Sequence, residues 1–148
     1  MKRQDIITVV ARVVIGGIMF YAGFMKAAGP LPEFAAAIAA YKILPAFAIT
    51  PFSIALPYLE MWIGSFLIAG FFTRRAAVAS MLLCSMFFIA LVSSFARGID
   101  LVSCGCFGAD TLSPKYTLGI DAALIALSFT LYRLTNYPPR WSLDQSLH

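Results

Sequence analysis

Four long apolar segments, separated by short stretches that hold most of the prolines and charges, dominate the chain. A helix that crosses a membrane needs about 20 predominantly apolar residues, because each residue rises about 1.5 Å across about 30 Å of hydrocarbon. Residues 6–25, 51–72, 76–96 and 114–134 meet this requirement. The pattern predicts an all-α integral membrane protein, a bundle of four transmembrane helices that forms one membrane domain over residues 1–148.

A shorter apolar segment lies between the first two spans. Over residues 32–43, the side chains of Phe34, Ile38 and Tyr41 fall on one face of a helix, but the segment is too short to span. We expect a short helix that lies at the membrane interface or re-enters the membrane.

Turn residues mark the ends of these segments. Thr50-Pro51 and Ser113-Pro114 are typical of a helix start, in which a capping residue precedes proline at the first helical position. Gly98 is typical of a residue that follows the last turn of a helix.

Composition supports a membrane protein. The 148 residues are 61% hydrophobic and only 12% charged, whereas soluble domains carry about 25% charged residues. A single core of this size cannot bury so many apolar side chains, so we expect the surplus to contact membrane lipid. This excludes a disordered tail and a free-standing water-soluble enzyme, and the net charge of +4 requires no nucleic acid partner.

The basic residues that flank the spans predict the orientation. One side of the membrane carries Lys2, Arg3, Arg74, Arg75, Arg133 and Arg140, and the other carries Lys26, Lys42, Arg97 and Lys115. Because cytoplasmic flanks are enriched in lysine and arginine, we expect both termini in the cytoplasm and loops 27–49 and 97–113 in the periplasm, across a bacterial inner membrane. Arg12, inside the first span, is expected to extend to the cytoplasmic headgroups.

The most distinctive motif is Cys104-Gly105-Cys106, in the loop between the third and fourth spans. Two cysteines one residue apart close a disulfide ring only with strain, and strained, exposed disulfides are the more oxidising ones. Gly105 supplies the backbone freedom that such a ring needs, and the periplasm permits disulfides. We therefore predict a redox-active pair that reacts by thiolate attack.

Other interpretations of the cysteines remain open. Two thiolates and a third ligand would suit a soft ion such as Cu(I), Zn(II) or Hg(II), but His148 falls on the opposite side and Cys84 lies deep in the third span. No metal site is predicted, and soft-metal binding or transport stays an alternative, as does a non-catalytic assembly subunit. Cys84 is expected to be a buried small hydrophobic residue; its functional alternative is a resolving thiol.

Charged residues within the spans are a second candidate feature. Glu60 and Asp121 fall in the outer halves of their spans, and Lys26 and Arg97 end spans on the same side. Ionisable groups at membrane depth are expensive and mark functional sites. Lys26 could pair with Glu60, or Arg97 with Asp121. We predict a polar pocket under the cysteine loop, where a carboxylate could take the proton of a thiol; an ion-pair network that only fixes helix packing is the alternative.

Several of these residues also resemble one family. The segments Gly23–Lys26, Tyr41–Pro45, Leu56–Glu60 and Cys104–Gly108 are similar to those of DoxX-like membrane proteins, and most of all to the MauE (methylamine utilisation) branch. The likeness covers about residues 12–121, and the Cys-Gly-Cys-Phe-Gly element is its most specific part.

The resemblance implies a four-helix bundle that works with thioredoxin-like proteins in thiol–disulfide chemistry outside the cytoplasm. For the MauE branch, it implies the maturation of a periplasmic dehydrogenase that contains many disulfides. Carried onto this chain, Cys104 and Cys106 would be the redox pair, with Glu60 and Lys26 at the pocket. We therefore expect a thiol–disulfide oxidoreductase; no cofactor is certain, and a quinone could reoxidise the pair.

Overall fold

The computed structural model describes residues 3–99 and 113–135 of the chain. Within these ranges the chain forms five α-helices and no strand. The helices are α1 (Arg3–Ala28), α2 (Leu31–Ala40), α3 (Ala46–Ala69), α4 (Thr73–Ala96) and α5 (Pro114–Leu134). All except α2 are long and apolar enough to cross a membrane. The predicted all-α fold with four membrane helices is confirmed.

Helices α1 and α3 pack closely in antiparallel directions. Glycines at the contact allow this approach: a Cβ added to Gly16 would lie 2.7 Å from the carbonyl oxygen of Gly64, and one added to Gly23 would lie 2.6 Å from that of Pro57. Small residues serve membrane helices in this way, because packing rather than water exclusion drives their association.

Helices α4 and α5 form a second antiparallel pair. The hydroxyl groups of Ser80 and Ser128, both fully buried, lie 3.1 Å apart across the contact. The largest apolar core lies where the two pairs meet, and it includes Ile15, Leu67 and Leu124. The outward faces carry exposed apolar side chains, which is the surface that lipid would cover.

Several predicted boundaries are confirmed. Helix α5 begins at Pro114 with Ser113 at its N-cap position. Gly98, at φ +65°, follows α4, and its N–H donates to Phe95 while that of Ile99 donates to Ser94; this is a Schellman ending. The three residues predicted to share one face of the short helix, Phe34, Ile38 and Tyr41, are all buried.

The predicted start of the second span at Thr50-Pro51 is wrong. Helix α3 begins at Ala46, after Pro45 at the N-cap position, so Pro51 and Pro57 both lie inside it. The apolar residues that precede Pro51 extend the helix by more than a turn. Membrane helices tolerate internal proline, because neighbouring groups satisfy the freed carbonyls.

The expectation for Arg12 is also wrong. Its side chain is only 3% exposed, and its Nε donates to the carbonyl oxygen of Leu67 at 3.1 Å while Nη2 donates to that of Ile68 at 3.4 Å. The last carbonyls of a helix lack intrahelical partners and carry partial negative charge. The guanidinium therefore stabilises the end of α3 instead of reaching the headgroups.

Candidate functional site

A buried ion pair joins α1 to α3. The Nζ of Lys26 lies 2.6 Å from Oε1 and 2.7 Å from Oε2 of Glu60, and the two side chains are 1% and 4% exposed. The ammonium also lies 4.9 Å from the centroid of the Phe87 ring, within cation–π distance. Of the two pairings that the sequence left open, the structure forms Lys26 with Glu60.

The packing of α1 on α3 explains this pairing. Gly23 lies against α3 so closely that an added Cβ would approach the Cβ of Glu60 to 2.9 Å. Lys26 lies one turn further along α1, and helical side chains lean towards the helix N-terminus. Its ammonium group therefore reaches back to Glu60 instead of extending outward.

Glu60 lies further from the start of its helix than the sequence indicated. Because α3 begins at Ala46 and not at Pro51, Glu60 follows about 21 Å of helix rather than about 13 Å. It therefore falls just past the middle of α3, while it packs against Gly23, five residues before the end of α1, and its place in the outer half of the membrane stays a prediction.

A small polar cavity lies beside the ion pair. Lys26, Glu60, Cys84 and Asp121 line it together with apolar residues, and its volume is about 20 Å³. A buried water molecule needs a cavity volume of roughly 10–15 Å³ and two to four polar partners. The cavity therefore suits one water molecule. Each of the four membrane helices contributes one polar side chain to this group, which we call the polar cluster.

Asp121 joins the polar cluster from α5. It is 5% exposed, and it lies seven residues after Pro114, about 10 Å along its helix. The cluster thus holds two buried carboxyl groups and one ammonium group. Such a set can hold, accept and return protons within a site that excludes bulk water.

Arg97 lies outside the polar cluster. Its side chain is exposed, its Nη2 donates to the carbonyl oxygen of Tyr41 at 2.7 Å, and its Nε donates to that of Ser93 at 3.1 Å. Arg97 therefore ties the end of α4 to the end of α2, and the alternative pairing with Asp121 is not formed.

Cys84 is the member of the cluster whose position the sequence did not reveal. Its burial was expected and is confirmed, at 4% exposure, but its position beside Glu60 and Asp121 was not foreseen. A signal existed: Ser80, Cys84 and Ser94 recur at helical spacing on α4, and all three are buried. That spacing marks a polar stripe along the face that meets α5.

The predicted redox pair and its glycine lie elsewhere in the chain. Cys104, Gly105 and Cys106 fall in the segment between α4 and α5, outside the described residues 3–99 and 113–135. His148 follows α5 and also lies outside these ranges. Within those described ranges, no group of three histidine, cysteine or acidic side chains is arranged to hold a metal ion.

Four membrane-length apolar helices around a buried charged cluster define a multi-pass membrane protein. The model of one family, the methylamine utilisation protein MauE, matches residues 4–134. The chain belongs to this family.

Two curated relatives carry the same name. The methylamine utilization protein MauE of Methylophilus methylotrophus is 31% identical over 96 residues, which cover 65% of this chain and 50% of that protein. That of Methylorubrum extorquens is 32% identical over 109 residues, which cover 72% and 59%. The matched part of the chain thus spans about half the length of these relatives. No solved structure matches the chain.

Proposed function

We propose that this chain is a membrane thiol–disulfide exchange protein of methylamine utilisation. In this proposal Cys104 and Cys106 are the reacting pair, and a thioredoxin-like periplasmic protein is the partner. The relatives are named for methylamine utilisation, and a broader relationship to DoxX-like proteins is part of the same proposal. The observation that carries it is a Cys-Gly-Cys motif in a chain whose membrane helices bury two carboxyl groups, an ammonium group and a thiol around one water-sized cavity.

The proposed exchange proceeds through a mixed disulfide. The thiolate of one cysteine attacks a disulfide of the partner, so that one sulfur of the partner leaves as a thiolate. The second cysteine then attacks the mixed disulfide and releases the other sulfur of the partner. The pair loses two electrons and two protons, and the partner disulfide gains both. The reverse sequence oxidises a dithiol of the partner and reduces the pair.

The polar cluster is proposed to serve proton transfer in this exchange. A thiol must lose its proton before it attacks, and a positioned carboxylate can accept that proton. Lys26 holds Glu60 through both carboxylate oxygens, and we assign proton transfer to Asp121, the second buried carboxyl group at the cavity. In this role Lys26 and Glu60 are positioning residues.

The proposed location is the bacterial inner membrane, with both termini cytoplasmic and the Cys-Gly-Cys loop periplasmic. The sequence supports this orientation, because one side of the membrane is flanked by Lys2, Arg3, Arg74, Arg75, Arg133 and Arg140 and the other by Lys26, Lys42, Arg97 and Lys115. Cytoplasmic flanks carry such excess positive charge. We propose one membrane domain over residues 1–148.

The test is thiol trapping in whole cells that grow on methylamine and carry this chain as their only copy. Cells are quenched in acid and alkylated, with and without prior reductant. We expect Cys104 and Cys106 to be protected from alkylation in part of the population and to become reactive after reduction. Cys104→Ser and Cys106→Ser should abolish growth on methylamine, and one of them should accumulate a mixed disulfide visible on a non-reducing gel. Ser103→Ala, one residue before the pair in the sequence, is the matched control, and it should grow.

Three results would contradict the proposal. Both loop thiols could stay reduced and unreactive in the native membrane. The double serine variant could support full growth, which would point to an assembly subunit. The reduced protein could bind Cu(I), Zn(II) or Hg(II) stoichiometrically and lose that binding in either serine variant, which would point to a metal-binding protein.

A further inference from the structure

An apolar groove lies between α2, α3 and α4, separate from the polar cluster except for one shared wall. Its volume is about 140 Å³, and its exposed lining is entirely apolar. The residues that line it include Ile38, Tyr41, Phe52, Leu56, Phe87 and Ala90. Phe87 is the shared wall, since it also lines the polar cavity.

The dimensions of the groove suit a segment of a hydrocarbon chain. An apolar cavity of roughly 150 Å³ is large enough to hold a molecule the size of benzene. Leu56 lies ten residues from the start of α3 and Phe87 nine residues from the end of α4, so the groove reaches about 15 Å into the bundle. That depth is half of the roughly 30 Å hydrocarbon layer, which is the reach of one leaflet.

Two exposed basic side chains lie at the mouth of the groove. The Arg97 guanidinium donates to the carbonyl oxygens of Tyr41, at 2.7 Å, and of Lys42, at 3.4 Å. Tyr41 and Ile43 line the groove, so Lys42 lies between two lining residues. Among the described residues, Glu33 is the one exposed acidic side chain at this end of the bundle, and it lies at the far end of α2. Among the described residues, Lys42 and Arg97 therefore make the mouth suited to an anionic group.

We propose that the groove binds one acyl chain of an anionic phospholipid, and that Lys42 and Arg97 bind its phosphate group. The apolar walls match a hydrocarbon tail and provide no polar partner for a ring that carries carbonyl groups, such as a quinone. The two cations match the negative headgroup, and a basic residue near the membrane surface contributes about 1 kcal/mol to the binding of anionic lipid.

The headgroup is tested by native mass spectrometry of the purified protein with phosphatidylglycerol or phosphatidylcholine of identical acyl chains. We expect phosphatidylglycerol to bind at least about fivefold more tightly, because one basic residue contributes about that factor, and the preference should fall with added salt. Lys42→Asn should lower it about fivefold. Asparagine accepts the φ of +51° at this position better than most residues. Lys115→Asn, at an exposed lysine on α5, is the matched control and should not lower the preference.

The acyl chain is tested by filling the groove. Ala90→Phe places a ring where the tail would lie, so it should abolish the binding of both lipids. Ile89→Phe adds an aromatic ring at the next residue, which is 65% exposed on the outside of the bundle, and it should retain them. Circular dichroism confirms that each variant is folded, and Lys42→Asn tests the proposal independently of Ala90→Phe.

The proposal would be overturned if the two phospholipids bind the wild-type protein equally, or if Ala90→Phe retains lipid. Displacement of the lipid by a short-chain quinone at a one-to-one ratio would make the groove a quinone site instead. None of these outcomes depends on the reactivity of Cys104 or Cys106, so the lipid site and the exchange function can fail separately.

Discussion

Removing one partner of the Lys26–Glu60 pair should destabilise the bundle far more than removing both. At a separation of 2.6 Å and an effective dielectric constant of about 20, the Coulomb attraction is about 6 kcal/mol. Desolvation of the two ions offsets most of it. Loss of one partner leaves a buried charge without compensation, which costs about 3–5 kcal/mol, whereas replacement of both by apolar residues of similar size is often nearly neutral.

The two single variants should differ, because Asp121 lines the same cavity. In Glu60→Met, the ammonium group of Lys26 keeps two favourable neighbours. These are the ring of Phe87, at 4.9 Å, and the carboxyl group of Asp121, which lines the same cavity. Lys26→Met leaves two carboxyl groups and no cation. We therefore expect a loss of about 5 kcal/mol for Lys26→Met, about 3 kcal/mol for Glu60→Met and within about 1 kcal/mol for the double variant.

The assay is the free energy of unfolding in mixed detergent micelles, measured by far-UV circular dichroism. Lys115→Met and Glu33→Met remove exposed charges and are the controls, with changes of at most about 0.5 kcal/mol. Equal losses that add up in the double variant would refute the reasoning, as would a larger loss for Glu60→Met than for Lys26→Met. Since the double variant should remain folded, its thiol exchange rate then measures the chemical role of the pair apart from its structural role.

Three further predictions use matched positions in the same chain. Gly16→Ala should lose about 1–3 kcal/mol of stability from overpacking against α3, whereas Gly17→Ala, with nothing within 4 Å of the added methyl group, should gain up to about 1 kcal/mol; thermal unfolding distinguishes them. Gly70→Ala and Gly98→Ala both strain a positive φ, at about 1–2 kcal/mol each, but only the first meets a buried guanidinium, so its loss of unfolding free energy should be clearly larger. Cys84, 4% exposed, should resist maleimide in the folded protein and react only after denaturation; rapid labelling in the native state would contradict its burial.

The number and type of membrane helices could be predicted from the sequence because lipid leaves few alternatives. A spanning segment must satisfy its backbone internally and present apolar side chains outward, so length and apolar content were sufficient for all four helices. Local start signals were less reliable. Ser113-Pro114 marks a true helix start, but Thr50-Pro51 does not, because apolar residues continue the helix on both sides of Pro51.

The candidate site was only partly predictable, because pairing depends on which helices are neighbours. The charges of Lys26, Glu60 and Asp121 identified them as expensive at depth, but their spacing along the chain says nothing about contact. Arg97 and Cys84 show most clearly that the type of a residue does not determine whether it lies in the polar cluster. Arg97 had the charge expected of a cluster residue and instead binds backbone carbonyls of the α2 segment, and Cys84 had no charge and lies in the cluster.

The contacts between α1 and α3 determine more than the strength of their association. At one end Lys26 binds Glu60, and at the other end Arg12 binds the last carbonyl groups of α3, with the close contact of Gly16 and Gly64 between them. A shift of α1 by one turn, about 5.4 Å, would break both polar contacts and replace the glycine contact by larger side chains. One register therefore satisfies all three contacts at once, and this register holds the Lys26–Glu60 pair in a fixed position. Cys84 and Asp121 reach the same cavity from the other helix pair, so the geometry of the polar cluster depends on how α4 and α5 pack against this rigid unit.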